Sequence, residues 1–343
     1  MLTVIAWIVV FGILVAVHEL GHYLVAKAFG MQVDEYSLGF GPRLIKVSGR
    51  ETEYSLRLIP LGGYVRLAGM DGERSADANH YPNRPRWQRF LVIFAGPVMN
   101  LVLAFVLYAL LFGPIGVPVA TTTITHLMPH YPAAAAGLKP GDRVIAIDGQ
   151  AVHSGTQLES MIRHHATKLM HVTVARHGRH LTYPLRARLD THTKPHAYLI
   201  GVQLGMAVAH LRLWQSIATG VSQTVAMTAA WFKALFLLIT GRSRFDLMGP
   251  VGIAVVVGQA AHQGWADLFM LAAALSANLG LFNVLPVPVL DGSKLWLLII
   301  EGIRGKAMAP ERENMIHLVG MAFLLVFVVF VTYHDLVHYL HLG

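Results

Sequence analysis

The chain of 343 residues contains no cysteine, which excludes disulfides and thiolate ligands, so a bound metal must be held by His, Asp or Glu. It is also poor in charge: Asp, Glu, Lys and Arg make up 13% of it and hydrophobic residues 55%, where an ordinary soluble domain is about 25% charged. The apolar residues are clustered rather than spread in short amphipathic periods, which excludes an ordinary soluble core. The net charge of +8 comes without a nucleic-acid-binding motif, and basic residues near membrane spans more often set topology or face anionic lipid. The class implied is a polytopic α-helical membrane protein whose surroundings are a lipid bilayer and not nucleic acid.

About 20 apolar residues cross a bilayer as a helix. Four stretches qualify, near residues 2–29, 90–112, 268–300 and 315–332, the third broken by Pro286, Pro288 and Asp291. No basic residue precedes the first stretch and no small-residue cleavage site follows it, so it reads as a retained span. Arg43, Lys46, Arg50, Arg57, Arg66, Arg74, Arg84, Arg86 and Arg89 lie between the first two spans, and Arg304, Lys306 and Arg312 between the last two. Both loops are therefore expected on the cytoplasmic side, with the N-terminus, residues 113–267 and the C-terminal YHDLVHYLHLG outside. Residues 213–239 are apolar but carry Gln215, Gln223, Thr224, Thr228 and Lys233, which predicts an amphipathic helix at the outer interface rather than a fifth span. The first loop contains GFGPRLIKVSGRETEYSLRLIPLGGYVRL, short strands punctuated by glycine and proline. It predicts a membrane-associated β-hairpin region; the strand pattern alone fits equally an edge that holds an extended peptide regardless of sequence and a plain solvated hairpin.

The chemistry is concentrated in His18-Glu19-Leu20-Gly21-His22. Histidines at i and i+4 share one helix face and can share one ion, while the Glu at i+1 projects beside them as a general base for hydrolysis. The motif sits inside a span, where ionisable groups are costly and functional by default. The elongated metzincin pattern is excluded, since its third His would fall on Ala28 and its Gly on Val25. Glu35, Glu51 and Glu53 are candidates for the third ligand, but all lie in the strand-rich loop. Asp291 is the stronger one, because in NVLPVPVLDG (283–292) it follows two prolines that must break a helix at membrane depth.

H-E-x-x-H in the first span and N-x-x-P-x-P-x-L-D-G in the third resemble the site-2 protease family of intramembrane zinc metalloproteases, closest to its bacterial RseP/RasP branch. Gly96-Pro97-x-x-Asn100, Gly249-Pro250-Val251-Gly252, GFGP and PLGGYV are similar to that branch as well. Residues 133–152, AAAAGLKPGDRVIAIDGQAV, look like the PDZ signature of bacterial membrane-associated proteases. The resemblance implies Zn2+ held by His18, His22 and Asp291, with Glu19 as catalytic base. It implies that Asn283, and more weakly Asn100, hold the substrate backbone. Together with the strand pattern it implies that the stretch from Tyr54 to Leu67, with Tyr54, Leu56, Gly62 and Gly63, pairs with an extended substrate. Where many relatives follow LDG with Gly and then His or Arg, this chain has Ser293-Lys294.

The expected organisation is a first helix, β-rich loop and second helix over 1–112, an extracytoplasmic α+β PDZ domain over 113–190, a linker and interfacial helix over 191–267, and the last two spans over 268–343. The expected function is hydrolysis of peptide bonds within or near transmembrane segments of single-span proteins, such as anti-sigma factors or signal-peptide remnants. The site should face the cytoplasmic side of a bacterial plasma (inner) membrane, and the PDZ domain could receive peptide C-termini. The rival reading is a non-catalytic PDZ adaptor with a structural metal, which has no need of Glu19. A metal transporter would need more polar residues in spans two and four. His334, His338 and His341 read as an interfacial or solvated face rather than a second metal site.

Overall fold

A computed structural model describes residues 1–70, 77–165, 168–190, 197–242, 248–306, 308 and 310–340. The chain divides into two units, Met1–Ile115 with Leu211–Gly343, and Gly116–His210. Helix α1 (Leu2–Ala28) is apolar up to His18, carries His18, Glu19 and His22 in its second half, and stops where Gly30 takes φ +65°. Two bent strands follow, β1 (Val33–Ser48) and β2 (Glu53–Leu67). The bends let residues 35–38 pair with 53–56 on one side and with 63–66 on the other, so the segment 62–67 borders the sheet. Glu35 is buried at their centre, bonded by Arg57 at 2.8 Å, Arg43 at 3.1 Å and Ser55 at 2.7 Å. Helix α2 (Arg86–Leu110) starts after Pro85, contains Pro97, and runs into a π-helical turn at Leu111–Ile115 that contains Pro114.

The second unit is built on β3 (Val117–Leu127), α3 (Pro132–Ala135), β4 (Arg143–Ile147), β5 (Gln150–Ala151), α4 (Gly155–His165), β6 (Leu169–Arg176), β7 (Arg179–Arg186), β8 (Arg188–Asp190), β9 (Ala197–Leu199) and β10 (Val202–Ala209). Its main sheet has the order β10-β3-β4-β6-β7, with β5 on β4, and covers a core of Ile124, Val144, Ile147, Leu158, Met170 and Val172. Buried Asp142 accepts from Arg176 Nε and Nη2 at 2.6 and 2.7 Å. The expected boundary at 190 moves to His210, because β10 pairs along the length of β3 and completes the sheet.

The chain then forms α5 (Leu213–Ile239), α6 (Pro250–Gln263), α7 (Trp265–Phe282), α8 (Asp291–Arg304) and α9 (Pro310–Leu340). Among the described residues, five helices are long and apolar enough to cross a membrane. Four correspond to the expected spans and the additional one is α5. The expected third span is two helices, since Pro286 and Pro288 remove two backbone donors and α8, at 14 residues, is about 21 Å long. Helix α6 was not anticipated: it is short and apolar and falls in the stretch read as linker.

Small residues let the helices approach closely, the usual basis of packing where lipid removes the hydrophobic drive. A Cβ on Gly21 would strike the Ala95 carbonyl and Met99 across α1 and α2, one on Gly280 would lie 2.8 Å from the Pro97 carbonyl, and one on Gly258 would strike Thr3. Asp335 of α9 is buried and accepts from the amides of Gly249 and Gly252 at 3.0 and 2.7 Å, capping α6. Of the C-terminal histidines, His334 is exposed. His341 and the side chain of His338 lie outside the described residues.

Candidate metal centre

Helix α1 puts His18 and His22 one turn apart on one face, and the break after α7 delivers Asp291 to them from 273 residues beyond His18. Asp291 Oδ2 is 2.8 Å from His18 Nε2 and 3.2 Å from His22 Nε2, and the two Nε2 atoms are 3.3 Å apart. One donor atom from each residue lies within 4.8 Å of the others, so a single ion can meet all three. A zinc ion held there would have two imidazoles and one carboxylate from the protein, the donor set of a catalytic rather than a closed structural zinc site.

The surroundings fit that ion. His22 Nδ1 is 2.8 Å from the Val92 carbonyl, so it carries the proton and leaves Nε2 its lone pair. Gly96 of α2 lies against both rings: an added Cβ would strike His22 Nε2 and come within 2.9 Å of His18 Cε1. The loop glutamates are committed elsewhere, Glu35 to arginines, Glu51 to Lys27 at 2.9 Å and Glu53 to Lys46 at 2.6 Å.

The segment that carries Asp291 is tightly folded. Val289 adopts φ +78°, rare for a β-branched residue and worth about 1–3 kcal/mol of strain. A Cβ on Gly292 would run into the Leu285 carbonyl, so only glycine closes this turn. Ser293 donates its hydroxyl to the Leu290 carbonyl at 2.8 Å and stitches the first turn of α8. Lys294 lines the cavity, with Nζ 3.8 Å from Met70 Sδ.

That cavity, of about 310 Å³, is lined by His18, Glu19, His22 and Asp291, and also by Gly62, Gly63, Tyr64, Asn283 and Lys294. Glu19 is buried, 8% exposed. The bordering segment 62–67 presses on it: a Cβ on Gly63 would sit 3.1 Å from Glu19 Cγ, and the Val65 amide hydrogen-bonds its carboxylate. Of the residues expected to touch substrate, Asn283, Gly62 and Gly63 line the cavity. Tyr54 and Leu56 are not among its lining; Tyr54 Oη instead pairs with Tyr23 Oη at 2.7 Å. Asn100 is fully buried behind His18, with Nδ2 3.2 Å from His18 Nδ1. Tyr64, Gly96 and Lys294 had not been singled out as site residues. Gly96 stands in the Gly96-Pro97-x-x-Asn100 pattern that the sequence displays, but that it faces the two histidines, like the placing of Tyr64 and Lys294, depends on folds of the chain that no local pattern reveals.

Outside the spans, the Glu35 cluster sets a pH limit on the hairpin. Burial alone would raise its carboxyl, but hydrogen bonds from Arg57, Ser55 and Tyr64 and the charge of Arg43 pull it down from 4.5 to about 2. A depressed carboxylate stabilises the fold fully above its unfolded value, so the contribution fades as pH falls from 4.5 towards about 2. Hydrogen-exchange protection of β2 should hold at pH 5 and drop across that window; protection that stays flat would mean the arginines do not anchor Glu35.

Peptidase family M50 matches residues 6–327. "Regulator of sigma-W protease RasP" from Bacillus subtilis (strain 168) is 32% identical over 417 residues, covering 97% of this chain and 98% of that protein. "Zinc metalloprotease RasP" from Geobacillus kaustophilus (strain HTA426) is 32% identical over 413 residues, with 97% of each chain covered. A protein of the same name from Bacillus licheniformis is 31% identical over 420 residues, covering 97% and 98%.

Proposed function

The chain belongs to peptidase family M50 and is an intramembrane zinc metalloendopeptidase of the site-2 type; from that premise we propose that His18, His22 and Asp291 hold the zinc and Glu19 is the general base. The observation that carries this assignment is the convergence of the three donor atoms beside a buried carboxylate in one cavity. When bound, the ion supplies Lewis acidity to water and to a peptide carbonyl. Glu19 then accepts the proton of the attacking water and passes it to the leaving amide nitrogen, which cannot depart as an anion. The Val65 amide and the backbone at Gly63 hold Glu19 in place for both transfers.

A substrate helix hides its carbonyls in its own hydrogen bonds and must be extended before attack. The segment 62–67 is bonded to residues 35–38 on one side and borders the cavity, which supports pairing of an extended substrate to it, with Asn283 binding the substrate backbone. Substrates are single-span membrane proteins, anti-sigma factors or signal-peptide remnants; the name of the Bacillus subtilis relative refers to regulation of sigma-W.

The enzyme crosses a bacterial plasma membrane four times, with N-terminus and second unit outside. Four spans keep Arg304, Lys306 and Arg312 on the same side as the basic first loop, and α5, with its glutamines, threonines and Lys233, lies along the outer interface. Its second unit is a PDZ domain that receives peptide C-termini, a reading supported by the 133–152 signature and an antiparallel sheet flanked by α4.

The test is cleavage of a model single-span substrate by purified protein in liposomes. Chelation should abolish cleavage and added zinc should restore it. A zinc-loaded, folded protein that leaves every such substrate intact would favour the adaptor.

A further inference from the structure

His22 has a backbone carbonyl to fix its ring, but the partner of His18 is an amide that can turn. As placed, His18 Nε2 lies 2.8 Å from Asp291 Oδ2 and donates to it, so Nδ1 accepts from the Asn100 NH2 at 3.2 Å. Ligation of an ion through Nε2 reverses this, because the ring's one proton must then sit on Nδ1. Nδ1–H would face an NH2, donor against donor. The acceptor needed is on the same side chain: Asn100 Oδ1 is buried and has no hydrogen-bond partner.

We propose that Asn100 is the positioning residue of His18: with Nε2 turned to an ion, its carboxamide is the group that offers Oδ1 to His18 Nδ1–H. The proposal rests on the metal-site reading above. It replaces a substrate contact, since a side chain that is fully buried behind the histidine does not reach the cavity. The Asn100 backbone is pinned for the role, with its carbonyl accepting from Ser276 Oγ at 2.8 Å and Gly280 leaving only 3.3 Å between an added Cβ and Asn100 Cβ. An acceptor at Nδ1 holds the ring in the ligating tautomer and raises the basicity of Nε2, which typically contributes 10–100-fold to metal affinity.

The experiment is zinc affinity by chelator competition on the full-length protein in detergent, for wild type, Asn100→Leu, Asn100→Asp and Asp291→Ala. Leu and Asp are close to Asn in size, and only Asp keeps an acceptor. Asn100→Leu should bind zinc about 10–100-fold more weakly, while Asn100→Asp binds as tightly as wild type or tighter. A general packing defect would weaken both, so parallel loss in the two variants, or loss in neither, or loss in Asp alone, overturns the positioning role. The Asp291→Ala arm separates the two readings. Lost affinity there leaves the metal site standing whatever Asn100 does, whereas wild-type affinity overturns the site and this inference with it.

Discussion

Glu19→Gln should lower the rate of peptide cleavage by about 10²–10⁴-fold, the usual contribution of a positioned general base, while the protein keeps its zinc. Gln matches Glu in size and retains an acceptor for the Val65 amide, so the cavity wall formed with Gly63 should not move. What disappears is the ability to take a proton from water. Zinc content should be unchanged because Glu19 is not among the converging donors His18, His22 and Asp291. Cleavage and zinc stoichiometry are measured on the same preparation. Equal cleavage by variant and wild type would remove Glu19 from the chemistry, and joint loss of zinc and cleavage would recast it as a support of the metal site. The adaptor reading expects no effect on any activity.

The sequence makes local chemistry legible and leaves convergence hidden. His18 and His22 can be placed on one face from a spacing of four, because the helical repeat alone decides it. Asp291 can be singled out because two prolines must unwind the chain at a depth where unwound backbone needs a polar lining. Nothing local says that Asn100 lies behind His18 rather than in front of the cavity, or that β2 turns Tyr54 away and Gly63 in. The first placement depends on how α2 packs between α1 and α7, and the second on bends in β1 and β2, where a pairing shift of one residue exchanges the faces. The end of the second unit escaped for a similar reason. Residues 202–209 follow a polar stretch and pair with β3, some eighty residues earlier, so a reading that proceeds along the chain takes them for linker. Helix α6 escaped because 14 residues are too few for a span and its Gly-Pro start looks like a loop.

The largest structural effect should come from a single methyl group. In Gly96→Ala, the new Cβ would enter the space occupied by His22 Nε2 and approach His18 Cε1 to 2.9 Å. Neither ring can retreat cheaply, since His22 is tied to the Val92 carbonyl and His18 to Asn100 and Asp291. Backing α2 away from α1 instead is resisted by the crossing at Gly21, where Ala95 and Met99 are already in contact distance of any added atom. Overpacking of this kind costs about 1–3 kcal/mol, and misplacing a reacting group by about 1 Å can cost 10²-fold in rate. Gly96→Ala is therefore expected to lose at least about 10-fold in zinc affinity and more than about 10²-fold in cleavage. Gly12→Ala is the control: it lies in the same membrane-spanning bundle with nothing within 4 Å of an added Cβ, and alanine is the better helix former by about 1 kcal/mol. It should cleave and bind zinc as wild type. If Gly96→Ala also keeps wild-type zinc affinity, the two imidazoles have room that this geometry denies them, and the assignment of Nε2 as the ligating atom on both histidines fails.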